Sequence, residues 1–323
     1  MKPSRRRFLH LAGAAAALPA LSRLAWAQAY PARPVRLIVT FPAGSAPDII
    51  ARLAGQHLSE RLGQQFVIEN KPGASGNIAT EYVAKAEPDG YTILMPVSTN
   101  AVNVALYREL NFDFVRDIAP IAGIATTPFV IVVPPSFPAR TLSEFTAYLK
   151  ANPGKVDMGS AGIGTSPHVC GELFQLMTGT RMVHVPYRGN YIPDLLAGQV
   201  QVIFAPIAQA LPLIREGKLR ALGVTTAKRT AALPEVPAIG ELVTGYDAFG
   251  WYGLGAPAKT PPEIIKKLSD AMNEALTDPM VKERFSQLGV EPMPLTPDGF
   301  ARHISEEADK WAKVIKAQGI QVE

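Results

Sequence analysis

The chain has 323 residues, 47% of them hydrophobic, with 32 Lys and Arg against 28 Asp and Glu and one cysteine, Cys170. That length suits two domains of ordinary size, and a single cysteine excludes an internal disulfide. Five bases and no acids fall in the first 27 positions, leaving 27 bases against 28 acids and no basic cluster of the kind that nucleic-acid binding requires.

In chain order, the first segment is MKPSRRRFLHLAGAAAALPALSRLAWA. Its basic start, apolar stretch and small-x-small ending predict an export signal cleaved after Ala27, and hence a periplasmic protein. Within it Ser4 to Leu9, SRRRFL, fits the twin-arginine export pattern. The apolar stretch is shorter than the ~20 residues of a membrane span and is broken by Pro19.

Beyond residue 27, short apolar runs alternate with helical patterns. Strands are expected at 35–41, 65–70, 92–97, 129–134, 156–160, 182–187, 200–206 and 219–225. Segments such as PDIIARLAGQHLSERL and SPHVCGELFQLM place apolar residues at helical spacing between them. This alternation predicts an α/β protein with parallel strands. Thr141 to Glu144 and Thr260 to Glu263 read as capping boxes, and Thr296-Pro297-Asp298 as a third helix start. The tail from Pro261 to Gln318 is expected to be helical, EPMPL aside, and to pack on an earlier sheet. Proline and glycine density near Pro134 and from Gly250 to Pro262 marks two crossovers. Two crossovers give a discontinuous first domain, 28–129 plus 250–323, around an inserted second domain, 130–249.

Three loops join strands to helices and are rich in small residues: FPAGSAPD (41–48), NKPGASGNIAT (70–80) and GSAGIGTSPH (159–168). Small residues let backbone N–H groups approach a ligand, and a helix N-terminus carries unpaired donors at the positive end of its dipole. A carboxylate or phosphate fits such a junction. The loops lack GxxxxGK[ST], and the glycines at 159, 162 and 164 are out of GxGxxG order, so nucleotide binding has no specific support. Asp48 either improves helix capping or orients the loop and meets a ligand's donor.

Catalysis offers Ser160, His168, Cys170, Glu172 and His184. His168 and Cys170 are two apart and point to different helix faces, against the spacing of a metal pair. No GxSxG elbow occurs. Cys170 reads as a small buried hydrophobe and His184 as a packed strand residue. Arg188, at a strand end beside Gly189, could clamp a carboxylate or form a surface salt bridge.

These residues carry a resemblance over essentially the whole chain beyond the signal. FPAGSAPDIIAR, IENKPGASGNIAT, PDGYTILM, GSAGIGTSPHVCGELF, VPYRG with DLLAGQV, and GWYGLGAPAKTPPEII together resemble the Bug family of periplasmic substrate-binding components of tripartite tricarboxylate transporters. The resemblance implies a two-domain periplasmic-binding-protein fold of type II-like architecture, with a cleft between two mixed sheets flanked by helices. It implies a monomer without cofactor, metal or chemistry, whose partners are a small organic carboxylate and inner-membrane transporter subunits. It places Phe41, Ala43, Gly44 and Ser45 on one lip. Ser160, Ala161, Gly162, Gly164 and Thr165 face them, with His168 starting the helix behind. Asn77, Ser98, Asn100, Tyr187, Arg188 and Gly189 complete the expected site.

The chain departs from the family at three points. Ser45 replaces a usual glycine and adds a hydroxyl donor, the linker Asn190 to Pro193 is short, and Gln201 stands where aspartate is common. Two other functions remain open from the residues: a ligand sensor without a transporter, and a hydrolase using Ser160 and His168.

Overall fold

The computed structural model describes residues 30–107, 109–187 and 190–321; the export-signal reading of residues 1–27 lies outside them. The described residues form β1 (Val35–Val39), α1 (Ala46–Leu62), β2 (Phe66–Asn70), α2 (Asn77–Ala84), β3 (Thr92–Met95), α3 (Ser98–Leu106), α4 (Phe114–Asp117) and β4 (Ile118–Val133). There follow α5 (Leu142–Ala151), β5 (Asp157–Ser160), α6 (Ser166–Thr178), β6 (Val183–Pro186), α7 (Ile192–Leu196), β7 (Val202–Pro206), α8 (Ile207–Arg215) and β8 (Arg220–Val224). The chain continues through β9 (Phe249–Pro257), α9 (Pro262–Ala275), α10 (Pro279–Gln287), β10 (Glu291–Leu295) and α11 (Pro297–Gln318).

Apolar runs become strands because burial takes nearly the whole run: in β1, VRLIV, only Arg36 is not fully buried. The helix after it starts with Pro47 in its first turn and stops at Gly63, whose φ of 69° gives the left-handed C-terminal cap. Parallel pairs occur where the alternation predicts them, β1 with β2 and β3, and β5 with β6 and β7.

The centre differs from that expectation. Strand order is β2-β1-β3-β9-β4-β7-β5-β6, and β9 runs antiparallel to both β3 and β4. The single strand β4 has 16 residues, about 50 Å of extended chain. Its first part, Ile118 to Pro128, pairs with β9, while Phe129 to Val133 pairs with β7 and β8. One continuous strand therefore belongs to two groups of strands, each with its own apolar core.

Helix α11 ties the two groups a second time. Phe300, Ile304 and Ala308 pack with Ile38 and Trp251, and one to two turns later Trp311, Val314 and Ile315 pack with Phe129, Phe174 and Phe204. The tail thus reaches both cores, where one sheet was expected.

Two local expectations are corrected. The glycine-rich segment from Gly250 is largely strand β9, because its glycines serve close packing: a Cβ at Gly250 would lie 2.8 Å from Thr127 Cγ2 and one at Gly255 2.6 Å from Ile118 Cγ2. A Cβ at Gly253 would run into the Phe300 ring. Thr260 is no capping residue either, since Pro261 occupies the N-cap and the Thr260 hydroxyl is buried without a partner. Thr141 and Thr296 do cap, accepting from the amides of Glu144 and Gly299.

Among the described residues no helix is long and apolar enough to cross a membrane. Overpacking a tight core site costs ~1–3 kcal/mol, so Gly253→Ala is expected to lower stability by about that amount in urea unfolding. A variant as stable as the parent would mean that flexibility, and not the Phe300 contact, explains this glycine.

Candidate functional site

The first small-residue loop is shaped by a buried carboxylate. Asp48 is 2% exposed and accepts hydrogen bonds from Gly44 N (2.9 Å), Arg52 Nε (2.9 Å) and Asn70 Nδ2 (3.0 Å). Asn70 Nδ2 also donates to Phe41 O at 2.9 Å, so both ends of the loop hang on the same two side chains. Burial pushes the Asp48 carboxyl up, yet the donors from Arg52, Gly44 and Asn70 outweigh it and hold the group below the usual carboxylate range. Gly44 takes the positive φ of the turn, 78°. Ser45 adopts an ordinary extended conformation with φ −74° and introduces no strain. Its hydroxyl donates to Pro42 O at 2.6 Å, which spends the donor inside the loop.

The second loop, Gly73 to Gly76, is strained: Ala74 and Ser75 hold φ of 47° and 52°. The geometry is held from α3, where Asn103 Nδ2 donates to Ser75 O (3.0 Å) and to Asn77 Oδ1 (2.8 Å). The strained Ser75 reaches across to the third loop and donates to Ile163 O at 2.7 Å. Asn100 is buried and internal, accepting from Val97 N and donating to Thr80 Oγ1, both at 2.8 Å.

The third loop leaves β5 at Ser160, whose side chain is wholly buried. Ser160 Oγ lies 2.6 Å from His184 Nε2 and accepts from Gly162 N at 3.1 Å. Thr165 Oγ1 donates to Gly162 O at 2.7 Å, and Gly164 N donates to His168 Nδ1 at 3.1 Å. The two imidazoles stack with centroids 3.7 Å apart, and His168 Nε2 sits 3.5 Å from Glu172 Oε1. Burial and then the neighbouring His168 push the His184 imidazole down to about 3.

Between these loops lies a cleft of about 570 Å³. Its small-residue end is formed by Phe41 to Pro47, Val97 to Thr99 and Thr165 to Pro167. Ser98 Oγ and Ser166 Oγ meet across it at 2.7 Å, and Gly164 sits against Leu106 where a Cβ would collide. The first-turn residues of α1, α3, α6 and α8 all line this cleft, and none of the four helices has a side-chain N-cap. Away from the cleft Asp113, Thr141, Asp278 and Thr296 cap their helices, while α2 and α9 also start without a side-chain cap. Ser45 and Thr165 have good capping chemistry, but each turns its hydroxyl to a carbonyl of its own loop. The first-turn amides at the cleft are left for another acceptor.

The receptor model of the tripartite tricarboxylate transporter family (TctC) matches residues 50–320. The chain belongs to this receptor family. BugT of Bordetella pertussis is 36% identical over 303 residues, covering 92% of each chain. Rpa4515 of R. palustris, solved with adipate, is 36% identical at a TM-score of 0.87, covering 90% of this chain and 99% of its own. MatC of Rhodopseudomonas palustris, solved with malate, is 31% identical at a TM-score of 0.83, covering 88% and 100%. The mixed α/β architecture is accordingly that of periplasmic binding proteins, and the family is one of receptors and not of enzymes.

In this receptor Phe41, Ala43, Gly44, Ser45, Ser98, Ala161 and Thr165 line the cleft. Asp48, Asn77, Asn100, Ser160, Gly162, Gly164, His168 and Tyr187 are not part of its lining. Most of them brace the loops, while Tyr187 Oη donates to Asp194 Oδ2 at 2.8 Å. Arg188 and Gly189 lie outside the described residues. The hydrolase reading fails on geometry, because Ser160 has no exposure and pairs with His184 in place of His168. Sequence reasoning missed Thr99, Ser166, Phe129, Gln209 and Tyr252. The junction of β7 with α8, FAPIAQA, repeats the strand-to-helix pattern of the other loops and was the available signal for Gln209.

Because His184 stays neutral in the fold, with its pKa near 3 against 6.5 for a free imidazole, acid favours the unfolded chain. Stability is expected to fall as pH drops from about 6.5 towards 3, by up to ~1.4 kcal/mol per unit from this group. His303, also pushed down by burial, acts in the same direction. Urea midpoints measured against pH should show a shallower slope for His184→Gln than for the parent, and equal slopes would remove His184 as the cause.

Proposed function

We propose that this protein is an extracytoplasmic solute-binding protein that captures a small carboxylate and delivers it to a tripartite tricarboxylate-type transporter. The observation that carries the reading is the convergence of four helix starts without side-chain caps on one cleft. Such donors suit a carboxylate, whose charge is met by dipoles and N–H groups without a strong point charge. The relatives solved with adipate and malate support the same class. Export through the predicted leader, by the twin-arginine route, places the mature protein in the periplasm as a monomer.

The two domains are 28–129 plus 250–323 and 130–249, and they close on the ligand about the segments near Phe129 and Phe249. Support comes from β4, which changes pairing partners between Pro128 and Phe129. Ser75 to Ile163 O and Ser98 to Ser166 are contacts between the lips that closure makes and opening breaks.

Thermal-shift screening of the mature protein with mono-, di- and tricarboxylates, a neutral sugar and a nucleotide tests the class. At least one carboxylate is expected to raise the melting temperature; a rise with only the sugar or the nucleotide would sink the proposal. Asp48→Asn is expected to weaken the best acid by about tenfold, a loss of ~1.4 kcal/mol, because the first loop loses its charged anchor. Unchanged affinity in isothermal titration calorimetry would show that the loop holds its shape without that charge.

A further inference from the structure

The small-residue end of the cleft accounts for an acid group but not for the rest of the cleft. Away from the two lips the wall is built by Ile49, Phe129, Tyr191, Leu213 and Tyr252. Phe129, Tyr191 and Tyr252 belong to three different apolar clusters, so packing fixes their positions. Helix α8 lies along this wall, contributing Ala208, Gln209, Pro212 and Leu213, whose spacing places them on one face. Tyr191 Oη donates to Gln209 Oε1 at 3.2 Å, which turns the hydroxyl to the protein. Both tyrosine hydroxyls are raised by burial and so remain neutral.

The volume supports the same direction. About 570 Å³ lies within the ~300–1,000 Å³ of pockets that hold drug-sized ligands. A short diacid held by the lips would leave much of the apolar wall without contact. A ring has the apolar area and flat shape to cover it, with offset or edge contacts to Phe129 and Tyr252.

Resting on the carboxylate reading above, we infer that the ligand class of this cleft is an aryl carboxylate, its acid group at the lips and its ring against the Phe129–Leu213–Tyr252 wall. Gln209, whose side-chain carbonyl is engaged by Tyr191, keeps its amide N–H donors for a polar substituent on the ring.

Isothermal titration of the mature protein with benzoate, 3-phenylpropionate, malate and adipate tests this. An aryl acid is expected to bind at least about tenfold more tightly than either diacid. Leu213→Asn, at a half-buried position on the α8 face, is expected to weaken the aryl acid by about fivefold or more and the diacids by less than about twofold. Phe129→Ala should do the same, and because Phe129 is a core residue its folding is checked by circular dichroism before titration. Malate or adipate binding as tightly as both aryl acids would overturn the inference and leave the carboxylate reading intact. An equal loss for all acids on Leu213→Asn would also overturn it. Binding by none of the four acids overturns the inference, and failure of every carboxylate in the thermal-shift screen would remove the reading on which it rests.

Discussion

A helix cannot satisfy the N–H groups of its own first turn, and this receptor leaves that requirement open at four places around one cleft. Much of the surrounding construction keeps those donors fixed while denying them an internal acceptor. Ser45 and Thr165 spend their hydroxyls on loop carbonyls. Asp48, the nearest carboxylate in the first loop, is tied down by Arg52, Asn70 and Gly44. An anion placed there meets oriented dipoles that need no rearrangement, which is how affinity is gained without strong charge.

The contacts between the lips set the other half of the energetics. Neutral hydrogen bonds such as Ser75 to Ile163 O contribute only ~0.5–1.5 kcal/mol each, so under the proposed closure the ligand has a share in deciding the balance. The strain at Ala74 and Ser75, of order 1–3 kcal/mol per residue, works against those increments. It persists because Asn103 holds the loop from α3.

Much of this was legible in the sequence, for identifiable reasons. The strand-to-helix junctions FPAGSAPD and GSAGIGTSPH announce themselves because close backbone approach needs small residues, and both line or brace the cleft. What stayed hidden was long-range. Nothing local in GWYGLGAP says that its glycines pack against Phe300 of helix α11 and Ile118 of the neighbouring strand, so the segment reads as a crossover. Residues such as Asp48, Asn77 and Asn100 have the chemistry of ligand-binding side chains, and only the fold reveals their hydrogen bonds to Asn70, Asn103 and Thr80. The apolar wall has no local signature at all, since Phe129 and Tyr252 lie on strands far apart in sequence and read as ordinary core residues.

Helix α11 carries a consequence for protein engineering. Trp311, Val314 and Ile315 complete the core around Phe174 and Phe204, although they stand far outside the 130–249 segment. That segment is therefore not a portable module. A chimera that transplants it from a relative to exchange one wall of the cleft would set a foreign surface against a native Trp311, leaving voids or overlaps in a packed core. Recombination within this fold has to move the three residues of α11 together with the segment they cover, so the natural unit of exchange is defined by packing and not by continuity of the chain.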